Sequence, residues 1–87
     1  MITLNHETAL AIKDEMESIP EKYQKPFNSV HEGLAVLREE YVELENEIFF
    51  GEKRVATKDV WRTNLGKEAI QVAAMACRII QELTYDK

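Results

Sequence analysis

The stretch from Leu34 to Phe50 constrains this chain most, because it joins an apolar stripe to a dense set of carboxylates. Val30, Leu34, Leu37, Tyr41, Leu44 and Ile48 recur at alternating steps of four and three, the period of a single buried face on a helix. Glu39, Glu40, Glu43 and Glu47 sit beside that stripe. Acidic side chains three and four residues apart on a helix lie only roughly 5–6 Å apart at Cβ and repel one another. A helix built this way needs a core on one side and something that offsets the repulsion on the other.

Chain size sharpens the first requirement. A chain of 87 residues reads as one domain spanning 1–87, and one this small buries only about 60–65% of its unfolded surface. Association with further copies would help it. Hydrophobic residues make up 45% and charged residues 31%, with three Gly and two Pro, a balance that excludes disorder and favours helices around a core. The formal net charge of −5 argues against nucleic-acid binding through the whole surface, so duplex DNA is not an expected partner. Cys77 is the only cysteine and has no internal partner for a disulfide. Its neighbours Ala73, Ala74, Ala76 and Ile80 mark it as a small buried hydrophobe. With no leader-like segment, the expected location is the cytoplasm. The longest weakly polar run, Ala69 to Cys77, contains Gln71, ends at Arg78 and falls far short of the ~20 apolar residues a membrane span needs. No membrane partner is expected.

Taken in order, Ala9, Ile12, Met16 and Ile19 fall at steps of three, four and three, with Asp14, Glu15 and Glu17 opposite. The spacing predicts a first amphipathic helix from Thr3 to Ser18, capped by Asn5 or Thr3 and stopped by Pro20, which disfavours helical geometry in the residue before it. Glu21 to Asn28 contains Pro26 and no sustained period, so it reads as a connection whose Tyr23 and Phe27 fold back on the core. Ser29 and Glu32 then form a capping box, each side chain satisfying an otherwise free backbone N–H. Gly51 fits the left-handed position just past a helix end, which places the stop of the second helix near Phe50.

Between Glu52 and Lys67, Lys53, Arg54, Lys58, Arg62 and Lys67 outnumber Glu52 and Asp59. One reading is a solvated helix start; the sharper reading is a set of cations that neutralise a bound polyphosphate. Thr57 or Asn64 caps a third helix, in which Gly66 costs about 1 kcal/mol relative to Ala. Ala69, Ile70, Val72, Ala73, Ala76, Cys77, Ile80 and Leu83 cover so much of its circumference that it must be contacted from more than one side. Glu68, Gln71, Met75 and Arg78 form a separate stripe at steps of three, four and three. The fold expected is all-α: a compact antiparallel bundle of three main helices, with at most a short fourth, completed by oligomerisation.

Glu40 and Glu43 on one helix, and Glu68 and Gln71 on the next, are each a pair spaced by three, and antiparallel helices can bring the pairs together. Such a cluster of hard oxygen donors suits Mg²⁺ or Mn²⁺; a solvated acidic face is the alternative. His31, beside Glu32 at a helix start, reads as a partly buried, hydrogen-bonded structural histidine or as a contact to base or phosphate. His6 carries less. Trp61 either stacks on a nucleobase or covers the core edge.

Glu39-Glu40-Tyr41-Val42-Glu43, followed at Glu68 by Glu-Ala-Ile-Gln, resembles the split acidic signature of the MazG-like, all-α nucleoside triphosphate pyrophosphohydrolases. There, a Glu-Glu-x-x-Glu segment on one helix is followed by Glu-x-x-Asp on the next. Phe27 to Gly33 and Glu68 to Ala76 look like a small phage and bacterial branch of that superfamily, and the resemblance spans most of Tyr23 to Leu83.

The resemblance implies a helical subunit, dimeric or tetrameric, that hydrolyses a nucleoside triphosphate to its monophosphate and pyrophosphate with Mg²⁺, or Mn²⁺ in its place. Carried over by position, Glu40, Glu43 and Glu68 are metal ligands, with Glu39 an added ligand or the general base for water. Lys53, Arg54, Lys67 or Arg78 would stabilise charge on the departing pyrophosphate. Gln71 departs from the pattern: its amide offers a carbonyl oxygen as a fourth ligand but neither negative charge nor a base. Two further readings stay open, a metal- or nucleotide-binding protein that has lost catalysis and a purely structural helical adaptor.

Overall fold

Asn5 opens the first helix by accepting a hydrogen bond from the Thr8 N–H at 2.7 Å, and it sets the start of α1 (His6–Ser18) later than the Thr3 expected. The computed structural model describes residues 2–85, the side chain of Tyr23 excepted; the expectation that this ring folds onto the core lies outside the described residues. Pro20 ends α1 as expected. Its predecessor Ile19 is extended, with φ −62° and ψ 126°, the geometry that a following proline imposes. A single 3₁₀ turn, Glu21–Tyr23, follows.

Ser29 caps α2 (Val30–Asn46), accepting from the Glu32 N–H at 3.1 Å. The return half of the cap lands one residue early. The Glu32 carboxylate accepts from the Asn28 backbone N–H at 3.2 Å and from Asn28 Nδ2 at 2.9 Å, so it still satisfies a free backbone donor.

Gly51 does not end the helix. It has right-handed geometry, φ −65° and ψ −36°, and the chain runs from α2 through a π-turn, Glu47–Gly51, into a last helical turn, Glu52–Arg54. The Glu47 carboxylate lies over the glycine instead. A Cβ there would collide with the Glu47 carboxylate, coming 2.5 Å from its Cδ and 3.0 Å from Oε2. Thr57 caps α3 (Lys58–Ile79) by accepting from the Val60 N–H at 3.2 Å, leaving Asn64 inside the helix. A second π-turn, Ile80–Thr84, extends it.

Three helices therefore make the fold, with no strand among the described residues. As expected from its broad apolar circumference, α3 is central, packing against both α1 and α2. It runs antiparallel to α2: Gly33 meets Ile79 and Leu83, Glu40 meets Gln71, and the Trp61 indole donates to the Glu47 carbonyl at 2.9 Å. Trp61 thus covers the edge of the bundle. Gly33 permits the close approach at the other end, where a Cβ would sit 3.0–3.3 Å from Leu83, Ile79 and Phe27.

Phe27, Ala74 and Met75 form the buried core, with Ile12, Met16, Ile19, Val36, Leu37, Ile79 and Leu83 packed around them. Phe27 folds back as its connection was expected to do. Its backbone N–H donates to Glu82 at 2.9 Å, and the Arg78 guanidinium lies 4.2 Å from its ring centroid. Cys77 is half-buried, against α1.

The face of α2 that was expected to be the core is not. Val30, Leu34, Tyr41 and Ile48 are 62%, 53%, 52% and 49% exposed; only Leu37 and Leu44 of that stripe are half-buried. The face turned to α3 carries Gly33, Val36, Leu37, Glu40, Leu44 and Glu47 instead. Carboxylates thus occupy the middle of the helix pair, and the apolar stripe is left outward. No helix among the described residues is long and apolar enough to cross a membrane.

Candidate metal centre

The antiparallel register of α2 and α3 brings Glu40, Glu43 and Glu68 together. One carboxylate oxygen of each lies within 4.8 Å of the others. Spacing by three puts Glu40 and Glu43 on one side of α2, and the same spacing puts Glu68 and Gln71 on the facing side of α3. The amide of Gln71 completes the ring. With its nitrogen turned inward it donates to Glu40 Oε2 at 2.9 Å and to Glu68 Oε2 at 3.2 Å. Rotated by half a turn, the same amide puts its oxygen there and adds a fourth acceptor. That orientation is repulsive unless a cation lies between them.

The electrostatics follow from this crowding. Partial burial, the charge of Glu43, a hydrogen bond shared with Glu43, and the charges of Glu68 and Glu15 together push the Glu40 carboxyl up to about 7. Burial, then Glu43, then Glu47 raise Glu68 above the ordinary carboxylate value. A site that holds protons near neutral pH also gains by exchanging them for a divalent cation. The donor set, three carboxylates and one carbonyl with neither imidazole nor thiolate, fits Mg²⁺ or Mn²⁺.

The remaining expected site residues lie around this centre. Glu39 is exposed, in a groove with Ala35, Arg38, Val42 and Glu43, outside the ring. Lys67 borders a cleft between α1 and α3 with Asp14, Glu15, Ser18, Ile70 and Gln71. Lys53 and Arg54 are exposed in the last turn after Gly51. Arg78 stands apart from these. Its Nε donates to Glu82 at 2.8 Å and its Nη2 to the Lys25 carbonyl at 3.1 Å. Ten residues beyond Glu68, it is roughly 15 Å away along the helix axis. It holds the connection before α2 to the end of α3.

Two carboxylates outside the ring and outside the expected set add a smaller electrostatic push to it. Glu47 is one turn past Glu43 and its charge acts on Glu68; the i, i+4 spacing from Glu43 already carried that signal. Glu15 acts on Glu40 from α1, which no local spacing in the sequence announces. His31 is exposed, not partly buried as expected, and neither it nor His6, also exposed, belongs to the ring.

The chain matches no known family model, no curated protein and no solved structure.

Proposed function

We propose that this protein is a divalent-metal-dependent nucleoside triphosphate pyrophosphohydrolase of the MazG-like, all-α kind. One observation supports the reading above all: three carboxylates from two antiparallel helices, Glu40 and Glu68 half-buried and Glu43 exposed, converge within 4.8 Å, at the positions that match the acidic signature. Carboxylates held this close repel unless protonated or neutralised, and a substrate that arrives with Mg²⁺ brings the neutralising charge with it.

Glu40, Glu43, Glu68 and the Gln71 carbonyl would hold the ion. When bound, it supplies Lewis-acid polarisation of phosphoryl oxygens. Glu39, in the solvent-facing groove beside Glu43, orients water and takes its proton as the water oxygen attacks phosphorus. The anhydride bond breaks, and pyrophosphate leaves opposite the entering oxygen. Lys67, Lys53 and Arg54 meet the charge that develops on it. The substrate is a nucleotide, and the exposed apolar stripe on α2 joins two or more copies.

A second reading rests on Gln71. An inward amide that donates to both Glu40 and Glu68 satisfies the carboxylates without a cation, as in a binding protein that has lost catalysis. Pyrophosphate release from a panel of ribo- and deoxyribonucleoside triphosphates, with and without Mg²⁺, separates the two. Magnesium-dependent release supports the hydrolase. A rise in melting temperature with metal or nucleotide, but no release, supports the binding protein. Neither response leaves a structural helical adaptor.

A further inference from the structure

α2 and α3 lie side by side as a layer two helices wide, and α1 covers one side of it. Ile12, Met16 and Ile19 pack there around Phe27, Ala74 and Met75. The other side is apolar and, among the described residues, uncovered. On α2 it carries Val30, Leu34, Tyr41 and Ile48, each half exposed or more. On α3, Val72 lines the same groove as Leu34, Leu37 and Tyr41. Leu65, Ala69 and Ala76 follow from Val72 at steps of three and four and so share its face, and Ile80, 48% exposed, continues that face on the π-turn.

Two properties fit a second copy to this face. The first is area. The chain leaves 6938 Å² in contact with water, whereas a folded monomer of 10.1 kDa leaves only about 5,300 Å². Its radius of gyration, 14.4 Å, likewise exceeds the ~12 Å of a compact domain of 87 residues. The extended residues before α1 contribute to the excess of roughly 1,600 Å², but half of it already equals the ~800 Å² that each partner buries in a standard stable interface.

The second property is balance about the middle. The α2 stripe runs from Val30 to Ile48, so its centre falls between Leu37 and Tyr41; the α3 stripe runs from Leu65 to Ile80 and centres on Val72. Those three central residues line one groove. A two-fold axis through that groove, set across the helices, lays Val30 of one copy against Ile48 of the other and matches both stripes in one closed operation. Small side chains at Ala69 and Ala76 let the two α3 helices approach closely. Charge sets the direction. Lys53, Arg54, Lys58 and Arg62 are exposed at one end of the layer. An axis along the helices would bring the basic ends of both copies together, where like charges repel, whereas an axis across them keeps those ends apart.

We propose that a second copy of this chain covers this face, with α2 packed antiparallel on α2 of the other copy and α3 on its α3, about a two-fold axis near Leu37, Tyr41 and Val72. The two layers then enclose a four-helix core, with α1 of each copy on the outside. This arrangement rests on the association of copies in the proposed function and gives it a geometry; it does not depend on turnover at the acidic ring.

The test is cross-linking by a short bis-maleimide in the full chain, with Cys77→Ser to remove the native thiol, alongside sedimentation of the wild type. Positions 30 and 48 are roughly 27 Å apart along α2, too far to be bridged within one chain. Val30→Cys combined with Ile48→Cys is expected to shift most of the chain to twice its 10.1 kDa mass on a denaturing gel, while Val30→Cys alone and Ile48→Cys alone stay at the single-chain mass. Helical circular dichroism shows that each variant is folded. Cross-linking of Val30→Cys to itself would overturn the antiparallel arrangement. A folded double variant that does not cross-link, or a wild type that sediments as a monomer at the same concentration, would overturn the shared face altogether. Mg²⁺-dependent pyrophosphate release from that same monomer would leave the hydrolase reading standing.

Discussion

Arg78 and Glu82 form an ion pair at 2.8 Å, one turn apart on the end of α3, and it clasps the loop that enters α2. Both side chains are largely withdrawn from water, 11% and 19% exposed. Glu82 also accepts the Phe27 N–H, while Arg78 donates to the Lys25 carbonyl and covers the Phe27 ring. Removing one partner of such a pair leaves the other charge half-buried and uncompensated.

Arg78→Met should therefore lower stability by about 2–4 kcal/mol, counting the pair, the carbonyl contact and the ring contact together. Chemical denaturation checks it. Turnover per folded molecule, measured below the transition, should stay near wild type; a selective loss of turnover would return Arg78 to the phosphate site.

The acidic ring makes metal-free stability depend on pH, with a definite sign. Glu40 titrates near 7 in the folded chain against an ordinary value of 4.5, so between those values the folded state holds the proton more tightly. Its stabilising contribution is full below about 4.5 and is lost as pH rises through about 7. The cluster is open to water on one side, so the amount is about 1–2 kcal/mol. Thermal melts in chelator should rise as pH falls from 8 to 5.5. Glu40→Gln should flatten that dependence, and an unaltered slope would remove Glu40 as its source.

Glu43 is the common neighbour of Glu40 and Glu68, and its charge raises both. Glu43→Gln keeps the shape of the side chain and removes its charge. Mg²⁺-dependent pyrophosphate release should drop at least about 100-fold, with the helical spectrum intact. Turnover retained in a folded Glu43→Gln protein would take this residue out of the mechanism.

Gln71 sets a balance between the metal-free and metal-bound forms. Its amide donates to two carboxylates at 2.9 and 3.2 Å when no cation is present, and a carboxylate in its place would add repulsion instead. Gln71→Asp should lower the melting temperature in chelator and tighten Mg²⁺ binding by about tenfold, equivalent to roughly 1.4 kcal/mol. Unchanged affinity would mean that position 71 is outside the ligand shell.

The alternation of apolar and acidic residues along α2, the caps at Asn5, Ser29 and Thr57, and the stop at Pro20 were legible in the sequence because each is a local signal. So was the pairing of Glu40 and Glu43 with Glu68 and Gln71, which needs only two helical periods and an antiparallel turn. The direction of α2 was not. Apolar spacing marks a face that avoids water, but it does not say whether the same chain or another copy covers it. The period predicts that Val30, Leu34, Tyr41 and Ile48 face inward, whereas Glu40 and Glu47 take the inner face. Gly51 misled for a related reason: at a helix end it signals a left-handed stop, yet here it makes room for a carboxylate that only the folded π-turn brings against it. Glu15 and the clasp around Arg78 depend on segments more than 20 residues apart, beyond the reach of any periodicity.

That outward apolar face carries the last prediction. Leu34, Leu37, Arg38, Tyr41 and Val72 line a mostly apolar groove, and Val30 and Ile48 continue it along α2. Within one chain only Phe27, Ala74 and Met75 are buried apolar residues among those described, with seven half-buried ones around them, a small core for a domain of this size. A second copy with the same stripe would remove both deficits. Full burial of a leucine or similar side chain contributes about 1.5–3 kcal/mol, so placing a charge in the stripe should weaken association by roughly ten- to a hundredfold or more. Sedimentation of Leu34→Glu should therefore shift toward the 10.1 kDa monomer, with lower thermal stability, at concentrations where wild type is associated. A wild-type chain that sediments as a stable monomer throughout would show that the stripe is not a contact between copies.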